Sequence, residues 1–238
     1  IVEFIYTIPD VIQKAYNDKA IGVDLGLNNL ATNVSTTGVS FIINGRPLKS
    51  INAFYNKKKA NLQSQLNSEV FTSKRIERLT LKRNNKIKDY VHKASRYIVN
   101  EASKLNVTKI VIGNNKNWKQ NINLGKRNNQ NFVSIPFSHL IEKIEYKAKM
   151  VGIETIVIEE SYTSKCSSYD LESIQKHDNY VGKRTKRGLF RTKENKYINA
   201  DANGATNILR KVVSNTVYNH IDEIRSCVVQ PNKIKTFY

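Results

Sequence analysis

The sequence predicts an α/β protein in which helices cover both faces of a mixed β-sheet. Three short strand patterns joined by polar turns come early in the chain, two long helical patterns follow, and strands and helices then alternate. Strands joined by short turns pair antiparallel, whereas strands connected through a helix pair parallel. Both kinds of pairing are therefore expected in one sheet.

The first half of the chain supplies the antiparallel strands and a helical insertion. Runs of β-branched and aromatic residues bounded by turn residues predict strands over Val2–Ile8, Ala20–Leu25, Ala31–Ser35 and Val39–Ile43. Apolar residues at helical spacing then predict two long helices, over Pro47–Leu66 and Ser73–Leu105, which we expect to form a hairpin. The second helix is apolar on one side and strongly basic on the other.

The second half supplies the parallel strands and the helices that connect them. Predicted strands cover Lys109–Ile112 and Ile153–Ile158, and predicted helices cover Pro136–Val151 and Ala200–Val213. Residues 113–134 are predicted as a loop, Ser161–Lys196 as a polar and basic insertion, and the tail from Ser214 as a weak helix followed by a loop. Three antiparallel strands followed by parallel strand–helix units is the order of the ribonuclease H-like fold.

The composition indicates a folded protein with a polyanionic partner. The 238 residues include 39 Lys and Arg against 20 Asp and Glu, a formal net charge of +19, yet 39% are hydrophobic and 9% aromatic. This apolar content excludes a disordered polycation, and the distributed basic residues favour nucleic acid over a merely solvated surface. No apolar run could cross a bilayer and no basic amphipathic helix suits an anionic membrane, so no membrane partner is expected. The two cysteines, Cys166 and Cys227, suit a reducing cytosol.

The residues that we expect to contact nucleic acid fall in several segments rather than in one tail. They are Lys74, Arg75, Arg78, Lys82, Arg83 and Lys86 in the second long helix, Trp118, Lys126 and Arg127 in the predicted loop, and Lys183, Arg184, Arg187 and Arg191 in the basic insertion. Two of these assignments have structural alternatives: the helical face could be merely solvated, and Trp118 could anchor its loop on the core instead of stacking on a base. Their distribution indicates a long groove or several contact faces.

Two aspartates occupy positions where the predicted elements converge. Asp24 lies in an apolar strand, where an ionised carboxylate needs a cation or a hydrogen-bond donor. Asp201 opens the last helix, and the small residues Ala202, Gly204 and Ala205 let that helix lie close to the sheet. Either aspartate alone could be a turn or helix cap. Together with a third carboxylate they would suit two Mg²⁺ or Mn²⁺ ions and phosphodiester cleavage.

Five segments in a fixed order resemble the TnpB (OrfB) proteins of bacterial insertion sequences. They are IGVDLGLNNLAT at 21–32, NKNWKQ at 115–120, SIPFSHLIEKIEYKAKMVGI at 134–153, EESYTSKCS at 159–167 and NADANGATNILRK at 199–211. The resemblance implies a RuvC-like nuclease domain within an RNA-guided DNA endonuclease, with guide RNA and target DNA as partners. It also implies a cytoplasmic, nucleoid-associated protein of a bacterium. By this resemblance Asp24 and Asp201 are catalytic ligands of Mg²⁺ or Mn²⁺ ions.

The middle acid of the family is missing from its usual position. That acid follows the fourth strand, where this sequence has Gly113, which cannot ligate a metal. Glu159 and Glu160 at the end of the neighbouring strand are the nearest substitutes, and strand alternation puts them on opposite faces. We favour Glu160 slightly, so the catalytic candidates are Asp24, Glu160, Asp201 and Glu159, and the first three are the candidate metal ligands. If neither glutamate reaches the site, the chain is a nuclease-inactive, RNA-guided DNA-binding protein.

The zinc finger of the family is also degenerate here. Two C-x-x-C pairs normally follow the Thr-Ser segment, where they hold Zn²⁺. In this sequence Cys166 stands alone, and neither Cys227 nor His177 completes a site. We therefore expect no structural zinc in the basic insertion.

A third class of protein shares the topology of the sheet. Actin-like and sugar-kinase-like ATPases also carry D-x-G in the first strand, as Asp24-Leu25-Gly26 does here. The sequence contains no second loop of this kind and no glycine-rich adenosine segment, and a net charge of +19 is unusual for such enzymes. An ATPase is the least favoured of the three functions.

The predicted organisation is one nuclease domain interrupted by two insertions. Residues 16–47, 107–160 and 199–238 are its three parts, the last including the tail; 48–106 form the helical insertion and 161–198 the degenerate zinc-finger region. Residues 1–15 are expected to be the remnant of an upstream wedge-like or barrel-like domain. Because the family has a longer N-terminal region, we expect the nuclease half of a larger protein.

Overall fold

A computed structural model of the chain describes residues 15, 17–67, 69–114, 135–235 and 237. The predicted strand Val2–Ile8 lies outside the described residues, as do Trp118, Lys126 and Arg127 and nearly all of the predicted loop. The predictions made for these segments therefore stay predictions.

Six strands form the main sheet. They are β1 (Ala20–Leu25), β2 (Asn29–Ser35), β3 (Ser40–Asn44), β4 (Lys109–Gly113), β5 (Glu154–Ile158) and β9 (Asn232–Ile234). Their spatial order is β5-β4-β1-β2-β3-β9. The first three strands pair antiparallel, whereas β4 and β5 join β1 in parallel and β9 joins β3 in parallel. The predicted mixed sheet is confirmed, but β9 occupies part of the tail that was expected to be a loop.

Helices pack on both faces of this sheet. They are α1 (Arg46–Gln63), α2 (Lys74–Lys104), α3 (Phe137–Lys149), α4 (Ala200–Val212), α5 (Ser214–Asn219) and α6 (Ile221–Cys227). Alternation along β4 separates two cores: Ile110 and Ile112 pack with residues of α1, α2 and α3, whereas Val111 packs with residues of α4, α5 and α6. Within the described residues, none of the helices combines the length and the apolar character needed to cross a bilayer.

The basic insertion contains a small sheet that sequence patterns did not predict. Strands β6 (Lys183–Lys186), β7 (Leu189–Arg191) and β8 (Tyr197–Asn199) pair antiparallel in that order. All four residues of β6 are exposed, so this strand has no apolar alternation to reveal it. The ring of Phe190 on β7 is fully buried and connects the small sheet to the core around α4.

Buried polar side chains hold the irregular segment that precedes this small sheet. The carboxylate of Glu172 accepts hydrogen bonds from the backbone N–H groups of Ser167 (2.6 Å) and Val181 (2.8 Å). From α4, Nδ2 of Asn203 donates to the backbone carbonyl of Cys166 at 2.9 Å. Backbone groups of the segment are thus satisfied by side chains rather than by a regular ladder.

Candidate active site

Asp24 lies on β1, on the sheet face that α4 covers. Two glycines make this close approach possible. A Cβ added at Gly22 would collide with the backbone carbonyl of Ala205 on α4. A Cβ added at Gly204 would lie 2.7 Å from Oδ2 of Asp24. The missing side chains, one on the strand and one on the helix, therefore bring α4 against the Asp24 carboxylate.

Asp201 is fixed in the first turn of α4. Asn199 caps this helix, because its side-chain oxygen accepts hydrogen bonds from the backbone N–H groups of Asp201 and Ala202, each at 3.0 Å. The Asp201 carboxylate accepts one hydrogen bond from Nδ2 of Asn29 (2.7 Å) and another from Nη2 of Arg184 (2.8 Å). The Asp201 side chain is still 27% exposed, so it remains accessible from solvent.

Glu160 follows β5 and lies over Gly113 of the neighbouring strand β4. The two strands pair in parallel, with Gly113 opposite Ile158. A Cβ added at Gly113 would lie 2.6 Å from Cγ and 2.8 Å from Oε1 of Glu160. The Glu160 side chain thus uses the space that a side chain on β4 would need. Glu159, by contrast, is exposed, and its backbone carbonyl accepts a hydrogen bond from Nζ of Lys211 at 2.8 Å.

One cavity of about 910 Å³ is lined by the carboxylates of Asp24, Glu160 and Asp201. Its lining also includes polar and basic side chains, namely Asn29, Thr32, Arg46, Arg184, Arg187 and Lys233. Glu159 does not line it. The structure therefore brings together three of the four predicted catalytic residues and leaves the fourth at the surface.

The surroundings of Asp24 and Glu160 disfavour the ionised forms of these two carboxyl groups. Burial is the largest cause that raises the pKa of Asp24 well above its usual value, the carboxylates of Glu160 and Asp201 raise it further, and Arg184 opposes them. Burial also raises the pKa of Glu160 to about 7, with Lys211 opposing. Oε1 of Glu160 is buried and has no hydrogen-bond partner in the part of the chain that the structure describes.

The helices α1 and α2 enclose a second groove, of about 720 Å³. It is lined by Arg75, Arg78, Lys82, Arg83 and Lys86 and by the rings of Phe54 and Tyr55. Lys74 is exposed but does not line the groove. Nε of Arg83 donates to Oδ1 of Asn52 at 2.8 Å, and its guanidinium lies 5.6 Å from the centroid of the Tyr55 ring. Five of the six basic residues singled out on this helix therefore share one groove.

The basic residues predicted in the insertion divide between the carboxylate cavity and the outer surface. Arg184 on β6 and Arg187 in the following turn line the cavity. Lys183 on β6 is exposed outside it, and Arg191 on β7 is half-buried. Arg184, a predicted nucleic-acid contact, forms an ion pair with Asp201.

Sequence reasoning missed two polar residues of β2, Asn29 and Thr32. Asn29 donates to Asp201, and Thr32 is the direct antiparallel partner of Asp24. Both belong to the same motif as Asp24. The sequence offered one signal for them: β2 carries polar residues and pairs with β1, which carries Asp24. Residues that lie directly opposite each other on paired strands share a face of the sheet.

The fold and the site define an α/β protein that gathers carboxylates in a cavity with basic walls. Residues 3–119 match a family described as a probable transposase, OrfB_IS605, and residues 137–208 match the Cas12f1-like TNB domain. The chain belongs to the TnpB family.

Two curated relatives are similar over part of their length. The TnpB-like protein ORF457 of Acidianus two-tailed virus is 25% identical over 234 residues, which cover 94% of this chain and 48% of the relative. The TnpB-like protein MJ0751 of Methanocaldococcus jannaschii is 32% identical over 120 residues, which cover 50% of this chain and 43% of the relative. The chain thus spans less than half the length of these relatives.

Two solved structures share the fold. One is a Cas12f1–sgRNA–target DNA complex, with a TM-score of 0.62 and 22% identity over 83% of this chain and 51% of that chain. The other is a CRISPR-Cas12f ternary complex, with a TM-score of 0.61 and 21% identity over 85% of this chain and 40% of that chain. At these identities the likeness shows the fold alone.

The family implies divalent cations at the cavity, and the donor chemistry fits them. Carboxylate oxygens are the ligands that Mg²⁺ and Mn²⁺ prefer. A cation would satisfy Oε1 of Glu160 and would offset the burial and the carboxylate repulsion that together raise the pKa of Asp24. Among the described residues, however, no three His, Cys, Asp or Glu side chains gather closely enough to hold one ion together. The oxygen donors of the cavity therefore suit such cations, but the three carboxylates do not form a preformed site around a single ion.

Proposed function

We propose that the chain is the nuclease part of a transposon-encoded, RNA-guided DNA endonuclease that uses two divalent metal ions. The observation that carries this proposal is the cavity lined by Asp24, Glu160 and Asp201 in a protein of net charge +19. Acids inside a strongly basic protein are useful if they bind cations while the basic residues bind phosphates. The antiparallel meander followed by parallel strands supports a ribonuclease H-like, RuvC-type assignment.

Asp24, Glu160 and Asp201 would hold the Mg²⁺ or Mn²⁺ ions, which when bound supply an activated water and stabilise the leaving oxygen. Asp24 would share these ions with the other two carboxylates, because both lie close enough to raise its pKa, although burial is the largest cause of the shift. The Asn199 cap and the hydrogen bond from Asn29 orient Asp201 before any ligand arrives. This preorganisation lowers the cost of assembling the site during the reaction.

Basic residues near the cavity would hold the DNA strand that is cut. The guanidinium of Arg184 already lies 2.8 Å from Asp201, and Arg187 lines the same cavity. Both belong to the small sheet of the insertion or to its turn, so this sheet would place a phosphate backbone against the carboxylates. Lys183 and Arg191 would extend the contact outside the cavity.

The groove between α1 and α2 would hold the guide–target duplex backbone. Its cations would contact phosphates without reading sequence, which base pairing would do. Lys74 would add a contact at its edge. Trp118, Lys126 and Arg127 stay predicted contacts outside the described residues. The cytoplasmic, nucleoid-associated location in a bacterium also stays a prediction.

The nuclease-inactive alternative requires that no third carboxylate reach the cavity. Glu160 lines the cavity together with Asp24, so this alternative gains no support from the geometry. The predicted absence of zinc remains a proposal.

The proposal is tested by Mg²⁺-dependent cleavage of single-stranded DNA by the full-length protein. We expect Asp24→Asn, Glu160→Gln and Asp201→Asn each to reduce cleavage by at least about 100-fold, because each removes a carboxylate that stabilises the transition state. Glu159→Gln is the matched control and should retain cleavage within about threefold. Unchanged cleavage by Asp24→Asn, or equal losses in Glu159→Gln and Glu160→Gln, would contradict the proposal.

A further inference from the structure

Thr32 is a buried threonine of β2 in the lining of the carboxylate cavity. The residue is 1% exposed, and its Oγ1 makes no hydrogen bond within the described part of the chain. It lines the same cavity as the carboxylates. Because Thr32 pairs directly with Asp24 across β1 and β2, the two side chains project from the same face of the sheet.

A buried hydroxyl without a partner destabilises a fold, because its hydrogen bonds to water are lost and not replaced. Valine has nearly the same shape and lacks this penalty. The hydrogen-bonding capacity of Thr32 is therefore available to whatever fills the cavity beside Asp24. Unsatisfied buried groups of this kind commonly mark a missing water, an ion or a functional role.

The neighbouring polar residue of β2 already acts on the other aspartate. Nδ2 of Asn29 donates to Oδ2 of Asp201 at 2.7 Å. Asn29 and Thr32 thus come from one strand, and each lies beside one of the two aspartates. This arrangement makes β2 a support for the site although it carries none of the carboxylates.

We infer that Thr32 is a positioning residue of the proposed nuclease site, whose hydroxyl hydrogen-bonds a water held by the divalent cation beside Asp24. The inference rests on the proposed function. In this inference Thr32 changes the affinity for the cation through the bound water. The carboxylates remain the groups that bind the cation directly. Removing the hydroxyl should therefore weaken cation binding without weakening the fold.

The structure offers a matched control for this hydroxyl. Thr155 on β5 also has a buried Oγ1 without a hydrogen-bond partner among the described residues, but it does not line the cavity. Thr32→Val and Thr155→Val make the same chemical change, one inside the proposed site and one outside it. Both variants should unfold at a temperature equal to or above that of the parent protein when cations are absent.

The experiment measures the thermal unfolding midpoint and DNA cleavage of the full-length protein as Mg²⁺ is raised from an EDTA-treated start. We expect Thr32→Val to need up to about tenfold more Mg²⁺ for the same stabilisation and the same cleavage, the size of one hydrogen bond. Thr155→Val should match the parent protein. Thr32→Ser, which keeps the hydroxyl, should restore most of the affinity.

The outcomes distinguish a failure of the role inferred for Thr32 from a failure of the proposed nuclease function. If Thr32→Val has the Mg²⁺ dependence of the parent protein, or if Thr155→Val shows the same loss, the inference is overturned and the proposed function stands. If the parent protein is neither stabilised by Mg²⁺ nor able to cleave DNA, the proposed function is wrong. The inference about Thr32 is then also overturned, because it depends on that function. Thr32→Ala replaces Thr32→Val in the same comparison if the valine variant does not fold.

Discussion

Glu160 occupies the space that a side chain at Gly113 would take, since an added Cβ there would lie 2.6 Å from Cγ of Glu160. The glycine that removes the expected acid from β4 is therefore the residue that admits a carboxylate from the segment after β5. The absence of a side chain at Gly113 and the position of Glu160 are therefore one structural arrangement. A substitution at Gly113 should therefore displace the side chain of Glu160.

Replacing Gly113 by alanine should displace Glu160 and weaken both the fold and the site. The added methyl would also lie 2.5 Å from Cδ1 of Ile208, so we expect a loss of about 1–3 kcal/mol in the free energy of unfolding. Cleavage should fall about tenfold or more because the carboxylate moves. Urea unfolding and DNA cleavage check this. The double variant Gly113→Glu with Glu160→Gly should recover activity relative to Glu160→Gly alone; full activity of Gly113→Ala would contradict the arrangement.

Replacing Asp24 by asparagine should stabilise the cation-free protein. Burial and two neighbouring carboxylates raise the pKa of Asp24, so its ionised form is penalised in the fold at neutral pH but not in the unfolded chain. The amide removes that penalty, so we expect a higher free energy of unfolding in EDTA, measured by urea unfolding. Asp178→Asn, at an exposed position, is the control and should change little. A destabilised Asp24→Asn protein would show that the carboxylate instead supports the fold.

Lys147 should make the stability of the protein rise with pH above neutrality. It is 2% exposed on α3, where its Nζ donates to the carbonyl of His92 (2.8 Å) and to Oγ of Ser95 (2.6 Å) of α2. Burial lowers its pKa to about 8, with Arg96 and Lys143 adding to the effect.

Between pH 8 and the higher pKa of an unfolded lysine, the unfolded state binds more protons than the folded state, so unfolding becomes less favourable as pH rises. We expect the unfolding midpoint of the parent protein to rise between about pH 8 and pH 10 relative to that of Lys147→Met. The surface variant Lys149→Met is the control and should follow the parent protein. Parallel pH curves for Lys147→Met and the parent protein would contradict this assignment.

Glu172 should hold the basic insertion together in the absence of zinc. It is 7% exposed and accepts hydrogen bonds from two backbone N–H groups, so Glu172→Gln should lower the free energy of unfolding by about 1–3 kcal/mol. Glu194→Gln, whose side chain is 67% exposed, should have little effect. The predicted absence of zinc has its own test. In a buffer without Mg²⁺, EDTA should leave the unfolding midpoint of the full-length protein unchanged. A fall in that midpoint together with zinc in the purified protein would contradict the predicted absence of zinc.

The fold could be predicted wherever burial leaves a periodic pattern. Strands β1 to β5 and the long helices have apolar residues in strand-like runs or at helical spacing, so the mixed sheet could be predicted from the sequence. Residues Lys183–Lys186 are all exposed, and Asn232–Ile234 is a strand of only three residues, so neither has a periodicity to detect. These elements form because a partner strand is already in place, which depends on tertiary structure.

The site could be predicted only in part for a similar reason. Gly204, which follows Asp201 on α4, indicated the close approach of this helix to the sheet, because a residue without a side chain lets two elements pack closely. The sequence favoured Glu160 over Glu159 only slightly, since both residues follow the end of β5, where strand alternation no longer fixes the direction of a side chain. Arg184 gave no sign that it would pair with an acid 17 positions away.

The chain order of the strands and carboxylates has a consequence for biosynthesis. Asp24 leaves the ribosome before the cationic helices α1 and α2, whereas Asp201 and the edge strand β9 emerge after them. A nascent polypeptide therefore displays its cationic helices long before it can assemble the acidic pocket, because the late contacts must close across most of the chain. The three carboxylates of the cavity can therefore meet only after Asp201 has been synthesised.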